Sequence, residues 1–302
     1  MKIGMGGCEP NKEEVFQHAW DRGVRVFDSG RGYSGPRVND LFLGEFLKDK
    51  KDFQIINKLP LFDKLYIENF GKSRFEMTDD ELEFSIRKIL ESQLQDCGVE
   101  KFDTYMYHAV YDEKFMPIFD LIKWTTEYKR IGKILAKLKS EGLIDKIGFS
   151  AHINYQLLYY FVEEMEKAFG NNFLEVAEIS YNILNNNGVD QQHLPWIARQ
   201  NAIMVWDAPG LEGLKYLKSK GMYIIDMMPT ESGRISQVSN APDWYDWAYR
   251  FIRETKEIDM VLAGTSSVKH LDQMMDIFEN KDLDSIPDMR IIQAGSRGYC
   301  HE

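Results

Sequence analysis

Four short apolar runs in this chain end on a side chain that holds or moves protons. VRVFD ends on Asp28, FQIINK on Lys58, DTYMYH on His108 and KIGFS on Ser150. A carboxylate, an ammonium, an imidazole and a hydroxyl form an acid–base set once a fold brings them together. Singly, each has a plainer reading: Asp28 as a turn cap, Lys58 as a solvated strand end, His108 as a satisfied core histidine, and nearby Tyr33 as a loop aromatic. Their recurrence at the ends of successive apolar runs favours one shared site, because strand ends converge on one face of a parallel barrel.

The elements needed to hold such a set are present along the whole chain. Runs rich in Val, Ile and Phe occur at 2–6, 24–28, 53–58, 103–108, 146–150, 174–180, 222–228 and 259–264. Between them, KEEVFQHAWDR, DDELEFSIRKILESQLQDCG and RIGKILAKLKSEG repeat apolar residues at three and four, the period of a half-buried helix. Eight βα units predict an α/β fold, a closed (β/α)8 TIM barrel in one domain over 1–302. An open doubly wound sheet shares the alternation, but its Gly-rich fingerprint is incomplete here: Gly6 and Gly7 follow the first run without a third glycine. The segments 111–129 and 193–213 read as enlarged loops on or beside the ligand face, with helical wrapping the alternative for the second.

Composition narrows the function classes. The chain of 302 residues is 44% hydrophobic and 28% charged, ordinary for a soluble protein with a large core. With 48 Asp and Glu against 37 Lys and Arg, the net charge of -11 disfavours nucleic acid as a partner. Cys8, Cys97 and Cys300 are odd in number and widely spaced, which suggests neither a disulfide framework nor a metal site. No run approaches the ~18 apolar residues of a membrane span, so a cytoplasmic location without membrane attachment is expected.

VRVFDSGRGYSGPRVNDLFLGEFLK, FQIINKLP, DTYMYH, LKSEGLIDKIGFSAHI, EVAEISYNIL and VLAGTSSVKHLDQ, in that order, resemble successive segments of the aldo-keto reductases. That resemblance places Asp28, Tyr33, Lys58 and His108 on the family's four catalytic positions and implies hydride transfer between a nicotinamide and a carbonyl. Hydride arriving at a carbonyl carbon leaves negative charge on oxygen, so a proton donor must stand beside it. Tyr33 is the implied donor. A phenol ordinarily titrates near ~10, and an ammonium about 4 Å away, at an effective dielectric of about 20, favours its ionised form by roughly 4 kcal/mol. Lys58 is suited to supply that charge, Asp28 to keep Lys58 protonated, and neutral His108 to orient the carbonyl.

The same resemblance assigns Ser150 and Glu178 to the nicotinamide amide, Met227 to the ring face, and Gly264, Thr265, Ser266 and Ser267 to a phosphate at a helix N-terminus. Ala151 and Glu178 stand where relatives commonly have Asn and Gln, and a carboxylate accepts from the amide NH2 but cannot donate to its oxygen. His270, Gln273 and Met274 replace the Arg, Glu and Asn that often clasp the adenosine end, with Lys269 the nearest cation, leaving NADP (NADPH) and NAD both open. Trp124, Trp196, Trp206, Trp244 and Trp247 read as pocket walls or as core. The expectation is an NAD(P)-dependent oxidoreductase for an aldehyde, ketone or sugar-like carbonyl, or the corresponding alcohol. Two other readings stay open: a dinucleotide-binding barrel with little turnover, and a lyase or epimerase that retains its cofactor.

Overall fold

A computed structural model describes residues 1–31, 37–111, 120–152, 155–182, 210–230 and 244–280. Eight strands form a closed, all-parallel barrel in chain order: β1 Lys2–Met5, β2 Val26–Asp28, β3 Gln54–Leu59, β4 Phe102–Tyr107, β5 Ile144–Ala151, β6 Val176–Ser180, β7 Tyr223–Met227 and β8 Met260–Ala263. Every predicted strand is present, with ends moved by one or two residues. The helices described around them are α1 Glu13–Asp21, α2 Val38–Leu47, α3 Asp63–Phe70, α4 Asp79–Cys97, α5 Leu121–Ser140, α6 Tyr155–Phe169, α7 Gly210–Ser219, α8 Trp244–Glu254 and α9 Val268–Glu279.

Strand phase divides the core in two. Alternate residues such as Phe27, Ile55, Tyr105, Ile147, Phe149, Ala177, Ile224 and Val261 face the helices and join one large apolar cluster. The other phase faces the lumen, where Ile56, Met106, Val176, Ile225, Met227, Met260 and Leu262 form a separate cluster. Gly4 and Gly148 belong to the lumen phase. A Cβ on Gly4 would lie 2.9 Å from Leu262, and one on Gly148 2.7 Å from the Val176 carbonyl, so larger neighbours already occupy their share of the interior.

The segment 111–129 is not the wholly enlarged loop expected. From Leu121 it is helix, capped by the Asp120 side chain, which accepts from the Lys123 amide at 2.9 Å. Trp124, Tyr128, Ile131, Leu135 and Leu138 continue one buried stripe, so the helix starts nine residues before Arg130, where the sequence pattern was read to begin. Trp124 is 2% exposed and belongs to that core rather than to a pocket wall. Helix α3 was unanticipated; it occupies the connection between β3 and α4 on the side where the strands end. Residues 193–209 lie outside the described residues, and 210–213 open α7. Helix α4 begins with a reciprocal Thr78–Glu81 capping box and ends at Gly98 in the left-handed conformation, the stop its sequence signals.

Candidate active site

Asp28, Lys58, His108, Ser150, Glu178 and Met227 all belong to the lumen phase; Glu178 lies midway along β6 and the others at or just past the C-terminal ends of their strands. Lys58 is completely buried. Its Nζ donates to the Asp28 carboxylate, approaches the Ser29 carbonyl at 3.4 Å and lies 3.2 Å from Glu178 Oε2. Asp28 is on the neighbouring strand, whereas β3 and β6 are three strands apart, so the Glu178 contact crosses the lumen. Glu178 therefore shares the charged cluster of Lys58, a contact the sequence reading did not include.

The electrostatics follow from burial. It raises both carboxyls above the ordinary carboxylate range, and Lys58 pulls each back down. Glu178 is pushed up to about 8, first by burial and then by Asp28, with which it shares a hydrogen bond. Burial, then the charge of Lys58, then His152, hold His108 far below the usual imidazole range, so its ring is neutral at physiological pH. The Cys8 thiol, buried and donating to the Asp28 carbonyl at 2.9 Å, is held protonated by burial and by Asp28.

Polar groups outside the barrel wall fix the backbone under this cluster. The Gln93 amide donates to the Lys58 carbonyl at 3.0 Å and to Asn57 Oδ1 at 2.9 Å, while the Tyr105 hydroxyl donates to Gln93 at 2.6 Å. Asn57 and Ser29 both donate to Asp40. Arg31 bridges Asp40 and Asp96, and Arg37 grips Asp96 from the other side. These two arginines flank residues 32–36, among which Tyr33 lies outside the described residues. The sequence held one signal for this anchor, a pair of arginines bracketing the tyrosine segment.

His108 follows β4, its amide donating to the Leu59 carbonyl at 3.3 Å and its ring edge-on to Phe62 with centroids 5.8 Å apart. The backbone then turns sharply, with Ala109 and Tyr111 at φ of 51° and 55°. Such left-handed residues without glycine cost free energy and persist only where neighbours impose them. Ser150 does so here: its Oγ accepts from the Ala109 amide and its carbonyl from the Val110 amide, each at 2.9 Å. Tyr128 contributes by accepting from the Tyr111 amide. Ser150 thus holds the turn that follows the histidine, whatever else it binds.

The Gly264–Ser267 turn leads into α9. Ser267 caps the helix by accepting from the His270 amide, and Thr265 Oγ1 accepts from the Ser267 amide at 3.1 Å. Gly264 is exposed, and a Cβ placed on it would meet no atom within 4 Å. Lys12 Nζ stands 3.4 Å from the Gly264 carbonyl, a cation the sequence reading missed because it precedes the turn by some 250 residues. His270 and Gln273 are exposed on α9. Met274 is buried in the core at 1% exposure, which removes it from the adenosine end. Tyr245, also missed, stacks obliquely on His270 with centroids 4.9 Å apart.

Known proteins bear on this arrangement in two ways. Solved structures share the fold at low identity. A putative aldo-keto reductase from Pseudomonas aeruginosa is 15% identical, covering 91% of this chain and 88% of its own, at a TM-score of 0.59. An aldo-keto reductase from Klebsiella pneumoniae in complex with NADPH is 14% identical, covering 98% and 90%, at 0.61. The aldose reductase from Schistosoma japonicum is 14% identical, covering 98% and 88%, at 0.60. No curated protein sequence matches the chain. The sequence model of the aldo/keto reductase family, in contrast, matches residues 3–294, nearly the full length of the barrel. The chain belongs to the aldo/keto reductase family, and with it to the NAD(P)H-dependent oxidoreductases.

Proposed function

We propose that the protein interconverts a small aldehyde, ketone or sugar-like carbonyl with its alcohol, using Tyr33 as the proton donor and acceptor. The observation that carries this reading is the buried Lys58 ammonium at the barrel mouth, hydrogen-bonded to Asp28 and beside a neutral His108. An ammonium without solvent lowers the cost of a phenolate nearby, and Asp28 stabilises that ammonium in turn. Neutral His108 can donate to a carbonyl oxygen without supplying a competing cation. Phe62, edge-on to the imidazole, limits how the ring can turn.

The residues present fit a dinucleotide. The open Gly264 backbone, the start of α9 and Lys12 offer amides and a cation to a pyrophosphate. Met227, in the lumen and 7% exposed, offers a polarizable surface to a flat ring at the mouth. When bound, the nicotinamide supplies or accepts the hydride; the chain's own groups orient the carbonyl and move the proton. The Klebsiella pneumoniae relative is described with NADPH, and exposed Lys269 gives this chain a cation near the adenosine end, so NADP (NADPH) or NAD are the candidate carriers.

Tyr33→Phe tests the assignment. It is expected to lower carbonyl reduction by about 100-fold or more while cofactor binding, followed by nucleotide fluorescence, stays near wild type. Activity within a few-fold of wild type would remove Tyr33 from its role.

A further inference from the structure

The cluster at the barrel mouth does not balance in charge. Lys58 lies between two buried carboxyls, Asp28 of β2 and Glu178 of β6, so ionising both leaves one negative charge in excess. Lys58 is the cation that acts on both carboxyls. His108 after β4 is kept neutral by burial, by Lys58 and by His152 after β5. Cys8 after β1 keeps its proton, and β7 and β8 bring Met227 and Leu262. A buried excess charge is costly and is removed either by a proton or by a cation.

The hydride carrier changes charge in the same place. An oxidised nicotinamide ring is cationic and a reduced one is neutral, and hydride transfer to a carbonyl beside His108 requires that ring at this mouth. We propose that Glu178 makes the site discriminate between the two forms, holding the oxidised, cationic nicotinamide more tightly than the reduced one. The inference rests on the functional reading above and adds a direction to it. In the balanced reaction, carbonyl, reduced cofactor and one proton give alcohol and oxidised cofactor; tighter retention of the oxidised form stabilises that product side and shifts the bound equilibrium toward carbonyl reduction.

The protonation of Glu178 supports this. With its carboxyl pushed up to about 8, mainly by burial, it carries a proton at neutral pH in the free protein. The cationic ring displaces that proton, and the neutral ring does not. Affinity for the oxidised form therefore rises with pH up to about 8, while affinity for the reduced form does not.

The test is a titration of the wild-type protein and of Glu178→Gln with oxidised and reduced NADP and NAD, at pH 6 and pH 9, by quenching of tryptophan fluorescence. In the wild type, the ratio of the oxidised to the reduced Kd is expected to fall by about tenfold or more between the two pH values. In Glu178→Gln the ratio is expected to stay flat. A second measurement needs no variant: mixing wild-type protein with the oxidised form in weak buffer at pH 7 should release close to one proton per site. Equal, pH-independent ratios in both proteins, or no proton release, overturn the inference alone. Failure of either form to bind overturns the functional reading and this inference together.

Discussion

Glutamine in place of Glu178 keeps the side chain's length and shape but cannot lose a proton, and this should change how stability responds to pH. The ordinary value for a glutamic acid is 4.5, and in the folded protein Glu178 is pushed up to about 8. Between those values the native protein holds a proton that the unfolded chain has lost. Stability contributed by this group is therefore complete below about pH 4.5 and is lost as pH rises through about 8. Each pH unit of that window is worth about 1.4 kcal/mol, so the full loss is up to about 5 kcal/mol. Urea unfolding of both proteins at pH 5, 7 and 9 measures it directly. The two are expected to be similar at pH 5, where the wild-type carboxyl is protonated and resembles an amide. By pH 9 the variant should be the more stable by several kcal/mol, approaching the figure above. A variant less stable than wild type at pH 9 would refute the reasoning, because it would mean that ionised Glu178 gains more from Lys58 than burial costs it.

Other substitutions probe the frame around the cluster. Lys58→Met leaves Asp28 and Glu178 without their shared cation, so its melting temperature should fall steeply between pH 6 and pH 9 and recover toward pH 5; curves parallel to wild type would count against a buried triad. Gly44→Ala puts a Cβ 2.1 Å from the Asp96 carbonyl, a backbone atom that cannot swing aside, and should cost about 3 kcal/mol or more in urea unfolding. A loss under about 1 kcal/mol would mean that α2 and α4 separate easily. Asp96→Asn strips an ionic partner from buried Arg31 and should destabilise by about 2–4 kcal/mol, whereas Arg37→Gln, at the exposed end of the same contact, should leave stability close to wild type. Equal effects of the two would contradict the burial difference between the arginines.

Strand positions were legible because strands buried on both faces read as short apolar runs such as FQIINK and DTYMYH, while their phase emerges only in the fold. That phase brings the candidate residues together, since Asp28, Lys58, His108 and Ser150 face the lumen near strand ends and Glu178 from midway along β6. What the phase does not carry is the partner across the lumen. Lys58 and Glu178 are 120 residues apart and on strands that do not pair, so only barrel closure brings them within 3.2 Å. The start of α5 was misplaced because aromatic Trp124 and Tyr128 were read as loop residues rather than as the first turns of a buried stripe. Lys12 and Tyr245 escaped for the same reason as the Lys58–Glu178 contact: they meet the β8–α9 turn and the first turn of α9 through the fold, with no local pattern to announce it.

The apolar lumen beneath the charged layer has a kinetic consequence. Among the described residues, Ile56, Met106, Val176, Ile225, Met260 and Leu262 pack the interior below the charged layer, with Thr104 a buried hydroxyl of the same strand phase among them. An apolar layer is a poor path for protons, so the mouth is the favoured route to Glu178 and Asp28. A ligand seated there stands across that route, so the protonation state set on binding outlasts a change of bulk pH until the ligand leaves. Solvent isotope exchange at these carboxyls should then keep time with ligand release rather than with bulk pH.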